Sequence, residues 1–130
     1  MINKIIQPDG WAPAKGYANG VLTRGKTLYI GGQIGWNSEK VFVSKDFIGQ
    51  MEQVLNNIKK IVETAGGQVE NITRLTWFLI DKNDYLSNQR AVGEAYRRVF
   101  GRHFPAMSVV VVKELIEDDA LIEIEATAEL

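Results

Sequence analysis

Glu123 and Glu125 stand two residues apart in the run Leu121-Ile122-Glu123-Ile124-Glu125-Ala126-Thr127-Ala128. Strict alternation is the pattern of a strand, with Ile122, Ile124, Ala126 and Ala128 on one face and Glu123, Glu125 and Thr127 on the other. A carboxylate directed into a protein interface is costly unless it is paired, hydrated or used to hold water or move a proton. Other chemistry is scarce. The chain has no cysteine and one histidine, His103, so thiol catalysis is absent, zinc ligation lacks its usual donors, and no metal is expected. No serine has a base partner visible in the sequence.

The element before this one must position it. His103-Phe104-Pro105-Ala106-Met107-Ser108 leads into Val109 to Val112, which is apolar on both faces and reads as a strand buried on both sides. This run and Leu121–Ala128, joined by the acidic connection 113–120, read as a pair of strands. The helices counted below can cover only one face of a small sheet. A second copy of the chain is therefore expected on the other.

From the start of the chain, residues 7–14 are an irregular lead-in containing Pro8, Gly10 and Pro13. A short strand within 16–22, a turn at Arg24-Gly25-Lys26 and a strand over 27–31 read as a hairpin, after which 32–37 is expected to leave the sheet. Ser44 is the expected N-cap of a helix of five or six turns. Its buried stripe is Ile48, Met51, Leu55, Ile58, Val62 and Ala65, ended by Gly66-Gly67, with Lys59, Lys60 and Glu63 on the solvated side. Residues 72–80 form a strand with Leu75, Trp77 and Leu79 on one face and Phe78 and Ile80 on the other. After a polar turn at 81–84 comes a second helix with Val92, Ala95, Tyr96 and Val99 buried and Gly101 as its stop. The order β-β-α-β-α-β-β predicts an α+β fold with two helices on one face of a mixed sheet.

At 130 residues without a linker or repeat, the chain reads as a single domain spanning 1–130. Fifteen basic and 16 acidic residues nearly cancel, so no basic field for nucleic acid is visible. No run of 18 apolar residues exists, and residues 1–8 lack the apolar core of a signal peptide. With the absence of cysteine, these features lead us to expect a cytoplasmic protein that uses neither nucleic acid nor membrane as a partner.

Gly16-Tyr17, Tyr29-Ile30-Gly31-Gly32-Gln33-Ile34, Asn57-Ile58, Ala65-Gly66, Phe104-Pro105-Ala106-Met107-Ser108 and Ile122-Glu123-Ile124-Glu125-Ala126 occur in an order that resembles the reactive intermediate deaminase family, RidA/YjgF, over nearly the whole chain. The resemblance implies a chorismate-mutase-like fold and a homotrimer whose sheets surround a central barrel, with clefts between adjacent subunits. It also implies hydrolysis of reactive enamines or imines to carbonyl compounds and ammonia, with no metal and no cofactor. Carried over residue by residue, the water-orienting glutamate falls on Glu123. The aromatic contributed across the cleft falls on Tyr17, and the pocket backbone on Gly31 and Gly32. One position departs: where the deaminating branch carries an arginine that grips the substrate carboxylate, this chain has Met107, whose thioether has no donor and no charge. A substrate other than 2-aminoacrylate follows, such as the larger unsaturated amino acids taken by aminomuconate deaminases.

Each residue keeps a plainer alternative. Glu123 is either catalytic or an interface carboxylate paired with a base, and Glu125 is the second choice on the same face. Tyr17 is either a pocket hydroxyl or a buried tyrosine. Met107 either lines the pocket or fills core. Arg90 is the first choice for a replacement cation and otherwise an i,i+4 partner of Glu94, with Arg74 and Arg102 behind it. His103 is an acid–base candidate or a strand-edge residue. Trp36 and Trp77 are ligand walls, or, for Trp77, part of a subunit interface. The functions in competition are an imine deaminase and a non-catalytic trimer that binds a small metabolite; a ribonuclease role lacks the basic stripe it needs.

Overall fold

The computed structural model describes residues 3–15 and 17–130, so Gly16 of the Gly16-Tyr17 signal lies outside the described residues. The elements are β1 (Lys4–Ile6), β2 (Gly20–Leu22), β3 (Thr27–Ile34), α1 (Phe47–Thr64), β4 (Ile72–Leu79), α2 (Lys82–Leu86), α3 (Gln89–Phe100), β5 (Ala106–Val111) and β6 (Ile122–Glu129). The strands form one mixed sheet in the order β1-β2-β3-β6-β4-β5. Only β4 and β5 run parallel, and α2 and α3 supply the crossover that a parallel pair requires. The helices α1 and α3 pack on one face, giving the expected α+β architecture.

Periodicity dictates this layering. Met51, Leu55, Ile58 and Val62 lie fully buried against Leu28, Leu75, Ile122 and Ile124 of the sheet. Each such side chain contributes about 1.5–3 kcal/mol of transfer free energy. The second stripe, Val92, Ala95, Tyr96 and Val99, closes the same core, and Gly101 ends α3 at φ 64°. Trp77 is buried there too, stacked on Tyr96 with ring centroids 6.4 Å apart. It belongs to its own chain's core and not, as one reading had it, to a subunit interface. Its Nε1 is the only fully enclosed side-chain nitrogen or oxygen without a hydrogen-bond partner among the described residues.

Several expectations are corrected. The runs 109–112 and 121–128 are not partners, because β4 lies between β5 and β6. β5 is an edge strand exposed at all six residues rather than buried on both sides. The apolar run gives no sign that the strand is an edge: one of its edges and much of its surface have no cover from the chain itself, while the second copy expected on one face lies outside the single chain described. β3 does not leave the sheet at Gly32 but continues to Ile34, its register with β6 shifting between Ile30 and Gln33. The two glycines allow that bulge. β1 was missed because it has three residues and pairs only with β2. Asp46, not Ser44, caps α1, its carboxylate accepting from Gly49 N at 2.6 Å, while Ser44 Oγ accepts from Asp46 N.

Two buried amides of α1 tie the helix to loops. Asn57 Nδ2 donates to the carbonyls of Ile34 and Trp36 (3.2 and 2.9 Å). Gln50 Nε2 donates to Asp119 O, and its Oε1 accepts from Leu121 N, which fixes the start of β6. Asn57→Leu leaves two carbonyls without their donor, at about 1–3 kcal/mol for each buried unsatisfied group. Urea unfolding is expected to show a loss of about 3 kcal/mol. A change below about 0.5 kcal/mol, the size of an ordinary surface substitution, would show that these carbonyls find other donors.

Candidate functional site

Glu123 lies on the sheet face opposite the helices, in the middle strand β6, in register with Ile34 of β3 and Phe78 of β4. Its carboxylate rests directly on the bulge of β3, so that a Cβ at Gly32 would collide with Oε2 and stand 2.8 Å from the carboxyl carbon. At Gly31 a Cβ would stand 2.8 Å from the carbonyl oxygen of Ala18. The segment of Tyr17 can approach because Gly31 lacks a side chain, and the Glu123 carboxylate because Gly32 does.

That segment is anchored by polar groups. Gly31 N donates to Asn19 O at 2.9 Å. Gln33 Nε2 donates to Asn19 Oδ1 at 3.1 Å, and Asn19 Nδ2 donates to Gln7 Oε1 at 2.8 Å. Asn19 and Gln33 are almost fully buried, so this chain of amides is rigid by the cost of leaving any member unpaired. On the other side, Asn57 fixes Ile34 and Trp36. Asn37 Oδ1 accepts from Glu39 N and Val41 N, forming a side-chain turn that carries Lys40 at φ 62°.

Tyr17, Gly31, Gly32 and Glu123 thus line one cleft of about 460 Å³, together with Trp36 and Ile116. The four meet on one cleft of a single chain, whereas the resemblance had Tyr17 contributed across a cleft between subunits. Tyr17 is 47% exposed, not a buried tyrosine. Lys40, which sequence reasoning missed, holds Nζ 5.4 Å from the centroid of Tyr17 and 5.6 Å from that of Trp36, and donates to Pro13 O. Burial raises the pKa of Glu123 from its ordinary value, and the neighbouring Glu125 carboxylate adds to the rise. A carboxyl shifted in this direction holds a proton more readily than a free one, which suits proton transfer to and from water. Among the described residues no cluster of three or more His, Asp or Glu could hold a metal ion.

Met107 and Arg90 do not join this cleft within one chain. Met107 pairs with Leu75, which in turn pairs with Ala126, on the helix-covered face. It lines a second cleft of about 200 Å³ with Trp77, Tyr96 and Phe104. Arg90 is 94% exposed and bound to Glu94 at 3.2 Å, its plainer alternative, and lines neither cleft. Arg74 lines a separate hollow on the open sheet face with Glu125 and Thr76. His103 is a strand-flanking residue, its Nε2 2.8 Å from Ile72 O. No helix among the described residues is long and apolar enough to cross a membrane.

The family model described as endoribonuclease L-PSP matches residues 8–130. The chain is 39% identical over 131 residues to 2-iminobutanoate/2-iminopropanoate deaminase of Escherichia coli (strain K12), covering 98% of each. It is 31% identical to the RutC family protein UK114 of Drosophila melanogaster over 98% of this chain and 90% of that one. Among solved structures, the YjgF gene product of E. coli superposes with a TM-score of 0.81 at 36% identity, over 97% of this chain and 98% of that one. RidA from the Antarctic bacterium Psychrobacter sp. PAMC 21119 gives 0.82 at 30%, over 98% and 99%. A shared fold and a family match across almost the full length make this chain a member of the endoribonuclease L-PSP family, the RidA/YjgF proteins.

Proposed function

We propose that this chain is an imine deaminase that hydrolyses a reactive enamine or imine to a carbonyl compound and ammonia, with Glu123 as its catalytic residue. The observation that carries this reading is the convergence of Tyr17, Gly31, Gly32 and the raised carboxyl of Glu123 on one cleft. The reaction needs little else. Water adds to the carbon of the protonated C=N bond as one of its protons passes to the Glu123 carboxylate; that proton goes on to the nitrogen of the carbinolamine, and as ammonia leaves the remaining hydroxyl proton passes to Glu123, giving the carbonyl compound. For an enamine, the protonated carboxyl first delivers a proton to carbon to make the imine. The water oxygen becomes the carbonyl oxygen, no redox change occurs, and positioning with proton transfer accounts for the rate.

The working form is a homotrimer in this reading, with sites shared between neighbours. Glu123 and Met107 project from opposite faces of one sheet, so a site that uses both positions must draw them from two copies. The all-exposed strand β5, with Val109, Val110 and Val111, supplies an apolar edge for such contact, since an exposed apolar edge strand invites another chain. Sedimentation of the purified protein and ammonia release from freshly generated imines test the two parts together. A stable monomer that is inactive at any concentration would end the shared-site reading. The departure at Met107 favours one competitor, a metabolite-binding trimer without turnover. Saturable binding with no ammonia from any imine would establish it instead.

A further inference from the structure

Charge within the two clefts defines a substrate class more sharply than the reaction does. The cleft of Glu123 is lined by two carboxylates, Glu117 and Glu123, and by the apolar or aromatic groups Tyr17, Ile34, Trp36 and Ile116. Among its described lining residues there is no Lys, Arg or His. The cleft of Met107 carries no ionisable acid or base beyond tyrosine, and its aromatic wall is continuous: Trp77 stacks on Tyr96, and Tyr96 on Phe104 at 5.3 Å and 10°. We infer that the site takes an imine or enamine that bears no carboxylate and carries an apolar arm of aryl size.

Two effects point the same way. A carboxylate next to the reacting carbon would meet Glu117 and Glu123 with no cation, in the described lining that this chain supplies, to offset the repulsion. The electrophilic form of an imine is the protonated iminium, a cation. Two carboxylates and the ring faces of Tyr17 and Trp36 favour a cation, as the ammonium of Lys40 over those two rings already demonstrates. Lys40 itself is the competing device. Its Nζ is committed to Pro13 O and to the rings and is not part of the cleft lining, but a side chain that swung inward would supply the missing clamp. The exposed ring of Phe104, 63% open and backed by the buried Tyr96, offers with Met107 the matching apolar surface for an aryl arm, reached from a neighbouring copy.

This inference rests on the deaminase reading, and the experiment separates the two. The full-length protein is given a matched pair of freshly generated imines with the same benzyl arm, one a 2-imino carboxylate and the other with methyl in place of the carboxylate. Ammonia release is followed for wild type, Met107→Arg and Lys40→Gln, each checked for folding and sedimentation. The expected result is a kcat/KM at least about tenfold higher for the carboxylate-free imine, since tenfold corresponds to the loss of one modest charge contact. Met107→Arg should reverse that preference, and Lys40→Gln should leave it in place. Equal rates, or a wild-type preference for the carboxylate, would overturn the inference while leaving the deaminase reading intact. Loss of such a preference in Lys40→Gln would then identify Lys40 as the clamp. If neither imine is accelerated, the deaminase reading falls and the inference with it. The wild-type comparison decides even where a variant fails to fold.

Discussion

Glu123→Gln is expected to lower kcat for imine hydrolysis by about 10²–10⁴-fold, the range of a positioned acid or base, and to raise the melting temperature at neutral pH. Glutamine keeps the shape of the side chain and its contact with Gly32 but can neither take nor return a proton. The rise in stability follows from linkage. Burial, and behind it the Glu125 charge, raise the pKa of Glu123 in the folded chain above its unfolded value. A carboxyl raised in this direction adds stability that is fully present below the unfolded pKa and is lost as pH increases through the folded pKa. Ionised Glu123 therefore weakens the fold at pH 7, and a neutral isostere removes that penalty. At about pH 3, below the ordinary glutamate range, both states are protonated and the two proteins should melt together. The acid limb of the wild-type rate should lie at higher pH than an unperturbed glutamate would give, and Glu125→Gln, which removes the like charge, should move that limb to lower pH. A Glu123→Gln protein that melts lower than wild type at pH 7 would mean that the carboxylate is engaged by a cation, as an interface ion pair would be.

What could be read from the residues alone was whatever is periodic and local. Alternation placed Glu123 on the face away from Ile122 and Ile124, and that is where it lies. The stripe of α1 was legible for the same reason. Failures came where two meanings share one pattern. Val109–Val112 has the composition of a strand apolar on both faces, but nothing in it marks the strand as an edge or names β4 rather than β6 as its neighbour. Glycines 31 and 32 resemble the end of a strand, yet they form a bulge whose role depends on β6 pairing from nearly a hundred residues away. The insertion of β6 between β3 and β4 is a long-range fact of the same kind. Gln50 and Asn57 had a usable signal: with Val54 and Ile61 they continue one buried face at helical spacing. Amides on such a face are worth suspecting as anchors of a loop. Lys40 had only the turn sequence at Asn37, and its position over Tyr17 and Trp36 depends on the folded chain.

Gly32→Ala tests the contact on which the cleft is built and is expected to cut kcat/KM by about 10²-fold, the cost of displacing a reacting group by about 1 Å. The backbone at Gly32 does not lie in the left-handed region, so alanine meets no conformational strain and acts only through the added methyl. That methyl would overlap Oε2 of Glu123, and since β3 and β6 are both held in the sheet, the carboxylate is the group free to move. Because the overlapping atom ends a flexible side chain, the stability cost stays at the low end of overpacking, about 1 kcal/mol, and unfolding should show it. A double-mutant cycle isolates the cause. In a Glu123→Ala background the obstructing carboxylate is gone, so Gly32→Ala should cost close to nothing in stability. In the Glu123→Gln background the isosteric amide still obstructs the methyl, so the stability cost should persist while little activity remains to be lost. Were Gly32→Ala to cost as much in the Glu123→Ala protein as in wild type, the methyl would be clashing with something other than Glu123. The carboxylate would then owe its raised pKa to a different resting place.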